Sequence, residues 1–448
     1  MVPAQLRDVV EGIYEMSDRR ANGSGPFAGV LSGLVRGLGT PGFVRDVAET
    51  YATRVALVGI GLVTSVVVAR ILGPTGRGFY AVAMTVGGVG VQIGNLGLQA
   101  ANTYSVARDA GRLSALLGNS LLVSFGFGTL VAAAVWSAFC VWPSAAPVEG
   151  GLLLLSLAWI PVGLAYLLLQ NLLIGIGDVR SFNSAEIGNR VLSVLLVGVV
   201  VLLGAVRPET VFLAALAALA VAVAWMLRRL CVRFGARLAL SVPLFRENVR
   251  YGLKAYAAAM FAFVVLRSDL LLVQYLLGPE QVGYYSIAVT IADQLYMLPV
   301  VVGTILFPRL SGMPGDAERW AYARRVSLWV GAGMTAFAVV VGLAAGPLIR
   351  LLFGASFLPA VPALLWLLPG IVMLSVNTIY MNYFASTGMP PVTILAPAAA
   401  ALFNVGLNLA LIPRLGIVGA SISSVAAYGG MLAASSVYLR YAKGRSGP

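Results

Sequence analysis

The chain has 448 residues, of which 59% are hydrophobic and 10% charged, with 30 Lys and Arg against 17 Asp and Glu. A soluble protein of this length cannot hide that much apolar surface, whereas a bilayer solvates it, so the composition excludes a soluble globular protein. There is no His and there are two Cys. That argues against Cys/His metal sites and structural disulfides, since Cys140 and Cys231 fall near opposite membrane faces. Residues 1–50 read as a cytosolic surface segment: Leu6, Val9, Val10 and Ile13 make one apolar helical face opposite Asp8, Glu11 and Glu15. Thr40-Pro41 then suits the cap and first position of a helix. At about 20 residues per span, about twelve transmembrane helices follow. They are expected at 52–72, 79–103, 113–140, 150–174, 182–204, 210–227, 252–277, 283–307, 326–346, 361–385, 392–412 and 416–438. Pro161, Pro299, Pro369 and Pro397 fall inside spans, where they can bend helices.

One segment occurs twice. Leu72-Gly73-Pro74 is followed by Gly78, Tyr80, Ala83 and Thr85; Leu277-Gly278-Pro279 is followed by Gly283, Tyr285, Ala288 and Thr290. Each copy reads as a tight turn between two spans. Six spans separate the copies, so both turns face one side and the halves are parallel repeats. The fold class expected is therefore all-α, with two parallel six-helix lobes. The first lobe covers 51–227, a basic linker 228–250, the second lobe 251–440 and a cytosolic tail 441–448.

With both termini cytosolic, most Lys and Arg fall on the cytosolic side, and Arg70, Arg77, Arg207, Arg350 and Arg414 fall on the other. The densest run is Arg228, Arg229, Arg233, Arg237, Arg246, Arg250 and Lys254. Orientation by positive charge accounts for this without a nucleic-acid partner. No P-loop pattern is present and the loops are short, which argues against ATP hydrolysis by this chain, against an enzyme and against a bound cofactor.

Several ordered pieces carry a family resemblance. They are Ala69-Arg70-Ile71-Leu72-Gly73-Pro74 with Gly78 and Tyr80, Leu96-Gly97-Leu98, Arg267-Ser268-Asp269, Leu277-Gly278-Pro279, and Phe307-Pro308-Arg309-Leu310-Ser311. Leu352-Phe353-Gly354 and Gly416-Ile417-Val418-Gly419-Ala420 continue the series. Over roughly 50–440 the chain resembles the polysaccharide-export branch, the O-antigen-type flippases, of the multidrug/oligosaccharidyl-lipid/polysaccharide exporter superfamily. The resemblance implies a central cavity between the lobes and export, by alternating access, of a polyprenyl-diphosphate oligosaccharide across the cytoplasmic membrane. It also implies membrane lipids and polysaccharide polymerase or ligase machinery as partners. Two other readings compete: a drug or cation antiporter of the same superfamily, and a non-transporting scaffold of a polysaccharide-synthesis complex.

Arg267 stands about 15 Å from the outer turn. A charge there costs about 2.5–3.5 kcal/mol on insertion scales, so it faces protein or water. Asp293, on the antiparallel next span, lies at nearly the same depth, and Asp269 points about 200° away on the helix of Arg267. Arg267 either pairs with Asp293 or holds a diphosphate, whose oxygens match the guanidinium fork. In the antiporter reading Asp269, Asp293 and Glu186 bind ions. Glu186 and Arg190 stand at i,i+4 on span five, as an intrahelical pair or as a polar entrance for an anionic head group. Arg54 either snorkels to head groups or lines the cavity mouth. Gln92, Asn95, Gln99 and Asn102 are spaced to share one helical face, as a helix-packing stripe or as a sugar-binding wall.

Overall fold

The computed structural model describes residues 41–445, and the side chains of 57–253 and 256–441 within them. The amphipathic face at Leu6–Ile13, the side chains of Arg54 and Lys254, and the C-terminal tail lie outside the described side chains. The described residues from Val58 onward form one compact unit.

The unit is all α-helical. Long helix α1 (Pro41–Gly94) is followed by α2 (Leu98–Arg108), α3 (Leu113–Leu121), α4 (Gly128–Val141), α5 (Gly150–Gly175), α6 (Val179–Leu202) and α7 (Pro208–Phe234). The second half holds α8 (Val242–Leu277), α9 (Pro279–Ser311), α10 (Asp316–Leu352), α11 (Ala360–Ser386), α12 (Val392–Leu415) and α13 (Ile417–Arg445). Among the described residues 11 helical stretches are long and apolar enough to cross a membrane. The first of them doubles back. Gly73 (φ 66°, ψ −178°) leaves helical geometry, and Ser65 and Arg77 hydrogen-bond across the bend at 3.2 Å. A straight helix would hold residues twelve apart about 18 Å from each other. Counted as two crossings, it brings the total to the expected twelve.

Gly278 repeats the geometry of Gly73 (φ 88°, ψ 176°), a backbone region that only glycine enters without strain. The duplicated sequence is thus a duplicated turn. Both turns lie at one end of the bundle, here called the turn end. The opposite, basic end carries residues 235–241 between α7 and α8.

Helix limits follow local chemistry. Ser241 and Asp178 accept backbone N–H groups at the starts of α8 and α6, Pro208 begins α7, and Gly235 (φ 63°) ends it. Burial alone would raise the Asp178 pKa. The Ser181 hydroxyl and amide, with the charges of Arg229 and Arg233, outweigh it and hold this loop carboxyl below its usual range.

Two spans and the link between the halves differ from expectation. The third span is α3 and α4 joined by a π-helical segment, Leu122–Phe127. The second is broken at residues 95–97, where Leu96 (φ 50°) and Gly97 (φ 77°) are both left-handed. In the link between halves, helix persists to Phe234 and resumes at Val242, so the basic run lies mostly on helix ends. The four span prolines lie inside continuous α5, α9, α11 and α12.

Packing repeats in the two halves. The fourth crossing, α5, is the hub of the first half and packs on α2, α4 and α7. The tenth, α11, is the hub of the second and packs on α9, α10 and α13. Both hubs are among the most buried helices, as repeats of one ancestral arrangement would be.

Candidate functional site

The candidate site is the seam between the halves. At the turn end the seam is shut by the duplicated motif. Gly78 lies against the carbonyl of Pro279, and Gly283 against the carbonyl of Pro74, so closely that a Cβ at either position would overlap the opposing backbone. Each copy supplies the glycine that admits the other copy's proline carbonyl. Arg70 caps the end of α10 by donating to the carbonyls of Leu351 and Leu352. Gln274 and Tyr275 donate to Pro147 and Ala145 of the loop before α5, at 2.9 and 2.7 Å. Arg77 is buried here, with Ser65, Ser286 and Thr290 as its acceptors.

Midway along the seam the Arg190 guanidinium lies against Gly61 of α1, where any side chain would collide with it, and the Gln294 amide is beside it. Arg267 Nη2 donates to Asp293 Oδ2 at 2.8 Å. The two side chains remain 31% and 37% exposed, so the pair is not sealed and the other N–H groups of the guanidinium stay approachable. Asp269 points elsewhere, as its place on the helix requires. It is 2% exposed and accepts from Tyr285, from Ser424 at 3.3 Å and from the Leu270 amide at 2.8 Å. No ion pair with Asp269 occurs among the described residues.

The second half also holds a chamber of about 330 Å³ toward the basic end, with Ala258, Ala262, Tyr296, Met381, Pro397 and Met431 among its walls. Of its polar lining groups, Tyr296 bonds Thr378 at 2.9 Å, and Asn377 accepts from Ser435 behind the wall at 2.8 Å. A smaller recess next to it is lined by Asp269, Asp293 and Tyr428.

The four amides do not form one stripe. The break at Leu96 and Gly97 turns α2 away from the face that carries Gln92. Asn95 and Asn102 are buried (0% and 2% exposed). Asn95 Oδ1 accepts the Gln99 backbone N–H in the first turn of α2 at 3.2 Å, and Asn102 bonds Ser120 at 2.8 Å and Asn248 at 3.2 Å. Gln92 and Gln99 are half-buried. One face for all four amides requires a continuous helix, and the left-handed Leu96-Gly97 dipeptide ends it.

At the basic end, the start of α8 is clasped by the first half. Ser105 donates to Asn248 at 2.6 Å, Arg112 to Glu247 at 3.2 Å, and Asn119 exchanges two hydrogen bonds with Ser241. Tyr104 stacks on Tyr251 with ring centroids 4.6 Å apart, and Gly97 meets Gly252 backbone to backbone. Among the described residues, hydrogen bonds between the halves at this end all run from 237–256. One helix straps the halves here, whereas α8, α9 and α10 all join them at the turn end. Arg77, Ser286, Thr290 and Gln294 are seam residues beyond those expected from the sequence; the mismatch between the repeat copies, Arg77 against Val282, is a sequence signal for the first.

Comparison with known proteins agrees with this architecture. Solved structures with the same fold include an inward-facing multidrug resistance MATE family transporter of the MOP superfamily (TM-score 0.68, 16% identity, 88% of this chain and 97% of that one). The lipid II flippase MurJ in an inward closed conformation is similar at TM-score 0.68 and 12% identity, over 89% and 87% of the two chains. A MOP superfamily transporter from Pyrococcus furiosus, reported with a binding pocket of reverse polarity, is similar at TM-score 0.64 and 14% identity, over 91% and 96%. An uncharacterized membrane protein of Methanocaldococcus jannaschii is 28% identical over 192 residues, 42% of this chain and 38% of that relative's length. The model of the polysaccharide biosynthesis protein family matches residues 43–313. The duplicated turn, the two hubs and the twelve crossings give a multi-pass membrane protein with the fold of these transporters, and the match over more than half of its length shows that the chain belongs to the polysaccharide biosynthesis protein family.

Proposed function

We propose that the protein is a flippase that moves a polyprenyl-diphosphate oligosaccharide across the cytoplasmic membrane by alternating access, with both termini and the basic end in the cytosol. One observation carries this reading. Arg190 and the half-exposed Arg267 stand at mid-depth in the seam, while the unpaired carboxylate, Asp269, is enclosed within the second half. The seam therefore offers cations to an anionic head group, and guanidinium forks match diphosphate oxygens. Closure at the turn end by three helices and at the basic end by one strap favours entry from the cytosolic side. Gln92 and Gln99 are the amides available to sugar hydroxyls, and Glu186 stands one turn from Arg190 on α6.

A second reading has its own support. Asp269, bonded to Tyr285 and Ser424 without a cation, is a group of the kind a cation antiporter would use. Depletion of the protein separates the two. The flippase reading expects lipid-linked oligosaccharide to accumulate on the cytosolic leaflet and surface polysaccharide to fall while the assembling enzymes stay active. Unchanged surface glycan with new sensitivity to cationic drugs would establish the antiporter instead.

A further inference from the structure

Arg77 is 8% exposed and stands where the halves meet. Its acceptors are three neutral hydroxyls, Ser65 of α1 at 3.2 Å and Ser286 and Thr290 of α9 at 3.3 Å each, and the Tyr80 ring centroid lies 5.6 Å from it. Among the described residues no carboxylate pairs with it. A buried guanidinium usually has an anionic partner, because neutral acceptors do not offset the loss of its hydration.

The fold does not require this charge. The repeat position in the other copy is Val282, buried at 0% exposure, and the glycine–carbonyl lock around Val282 is the same. Ser286 likewise stands where the first copy has Ala81. Arg77 and Ser286 are additions to a lock that the other copy makes without them. The acceptors are also divided: Ser65 belongs to the first half, Ser286 and Thr290 to the second. Parting the halves at this end would strip two of three acceptors and turn the guanidinium toward the seam.

Position suits an anion travelling along α9. Ser286, Thr290, Asp293 and Gln294 share one helical face. Arg77 meets the first two, Arg267 meets Asp293, and Arg190 lies near Gln294. The level of Arg77 lies three to eight residues from the other two, or about 4.5–12 Å.

We propose that Arg77 is an anion-binding residue at the turn end of the seam. It is covered by Ser286 and Thr290 while the halves are closed, and it takes a phosphate oxygen of the head group in their place when they part. This rests on the flippase reading above, and it adds a second station beyond Arg190 and Arg267.

The test uses full-length protein in liposomes, with Cys140 and Cys231 replaced by Ser and Ser65→Cys, a position 7% exposed, as thiol reporter. Farnesyl diphosphate is the probe and farnesol its uncharged counterpart; binding is measured calorimetrically alongside maleimide labelling. With Arg77 present, farnesyl diphosphate should speed labelling and farnesol should not. Arg77→Gln, which no longer buries a charge on neutral acceptors when the halves close, should label about tenfold more slowly without ligand and should gain nothing from diphosphate. Arg77→Lys, which keeps the charge, should respond partly, and it carries the test if the glutamine variant does not fold. Binding retained with an undiminished diphosphate response in both variants would overturn this inference alone. No binding by the parent protein would overturn the flippase reading, and this inference with it.

Discussion

Arg267 and Asp293 meet at 2.8 Å from antiparallel neighbours, and both remain open to the seam. Their depths were legible in the sequence because both are counted from one turn, at Gly278. What the pair does is a question of charge. If Arg267 holds diphosphate, Arg267→Gln should cut transport by tenfold or more, on the order of one lost charge-assisted contact, while the protein still inserts and accumulates. Arg267→Lys should restore part of it, since a point charge lacks the fork. The double variant Arg267→Gln/Asp293→Asn should stay inactive. Recovery of transport in that double variant would reduce the pair to a clamp between α8 and α9. Arg77 was not legible as a seam residue: by its place beside a predicted turn it read as an exterior charge. Only the approach of α9, more than 200 residues away in sequence, shows what surrounds it.

Among the elements, the duplicated turn was the most legible, because glycine and proline act locally. The break in the second span was less so, since the apolar run continues through Leu96 and hides the left-handed pair. That the start of α8 belongs to the packing of the first half rests on Asn248, Ser241 and Gly252, and each finds its partner more than 100 residues away. No periodicity could reveal it. The interlock of the two turns makes a sharp element-scale prediction. Gly283→Ala forces a Cβ into the Pro74 backbone, whereas Gly198, inside α6, has open space around it. Gly283→Ala should lower stability by about 1–3 kcal/mol, as overpacking does. Gly198→Ala should be neutral or mildly stabilising, because alanine is the better helix former. Thermal unfolding in detergent reads both, and equal effects would mean that the turns are not locked.

At the scale of the whole molecule, two related halves meet along a seam with guanidinium groups at mid-depth, shut at one end by three helices and at the other by a strap. Twelve crossings and their pairing into parallel halves were legible from apolar length and the repeat alone. Which half encloses the unpaired carboxylate, and which faces stay open, depend on tertiary packing and had to be seen. The central claim is that this seam carries a large anionic amphiphile across the bilayer. It is tested most directly by reconstituting the purified protein in vesicles whose outer leaflet holds a fluorescent polyprenyl-diphosphate oligosaccharide. Fluorescence should become protected from an impermeant quencher with the active protein and stay exposed with Arg267→Gln. Protection at the rate of protein-free vesicles, with uptake of a cationic drug by the same preparation, would contradict the account.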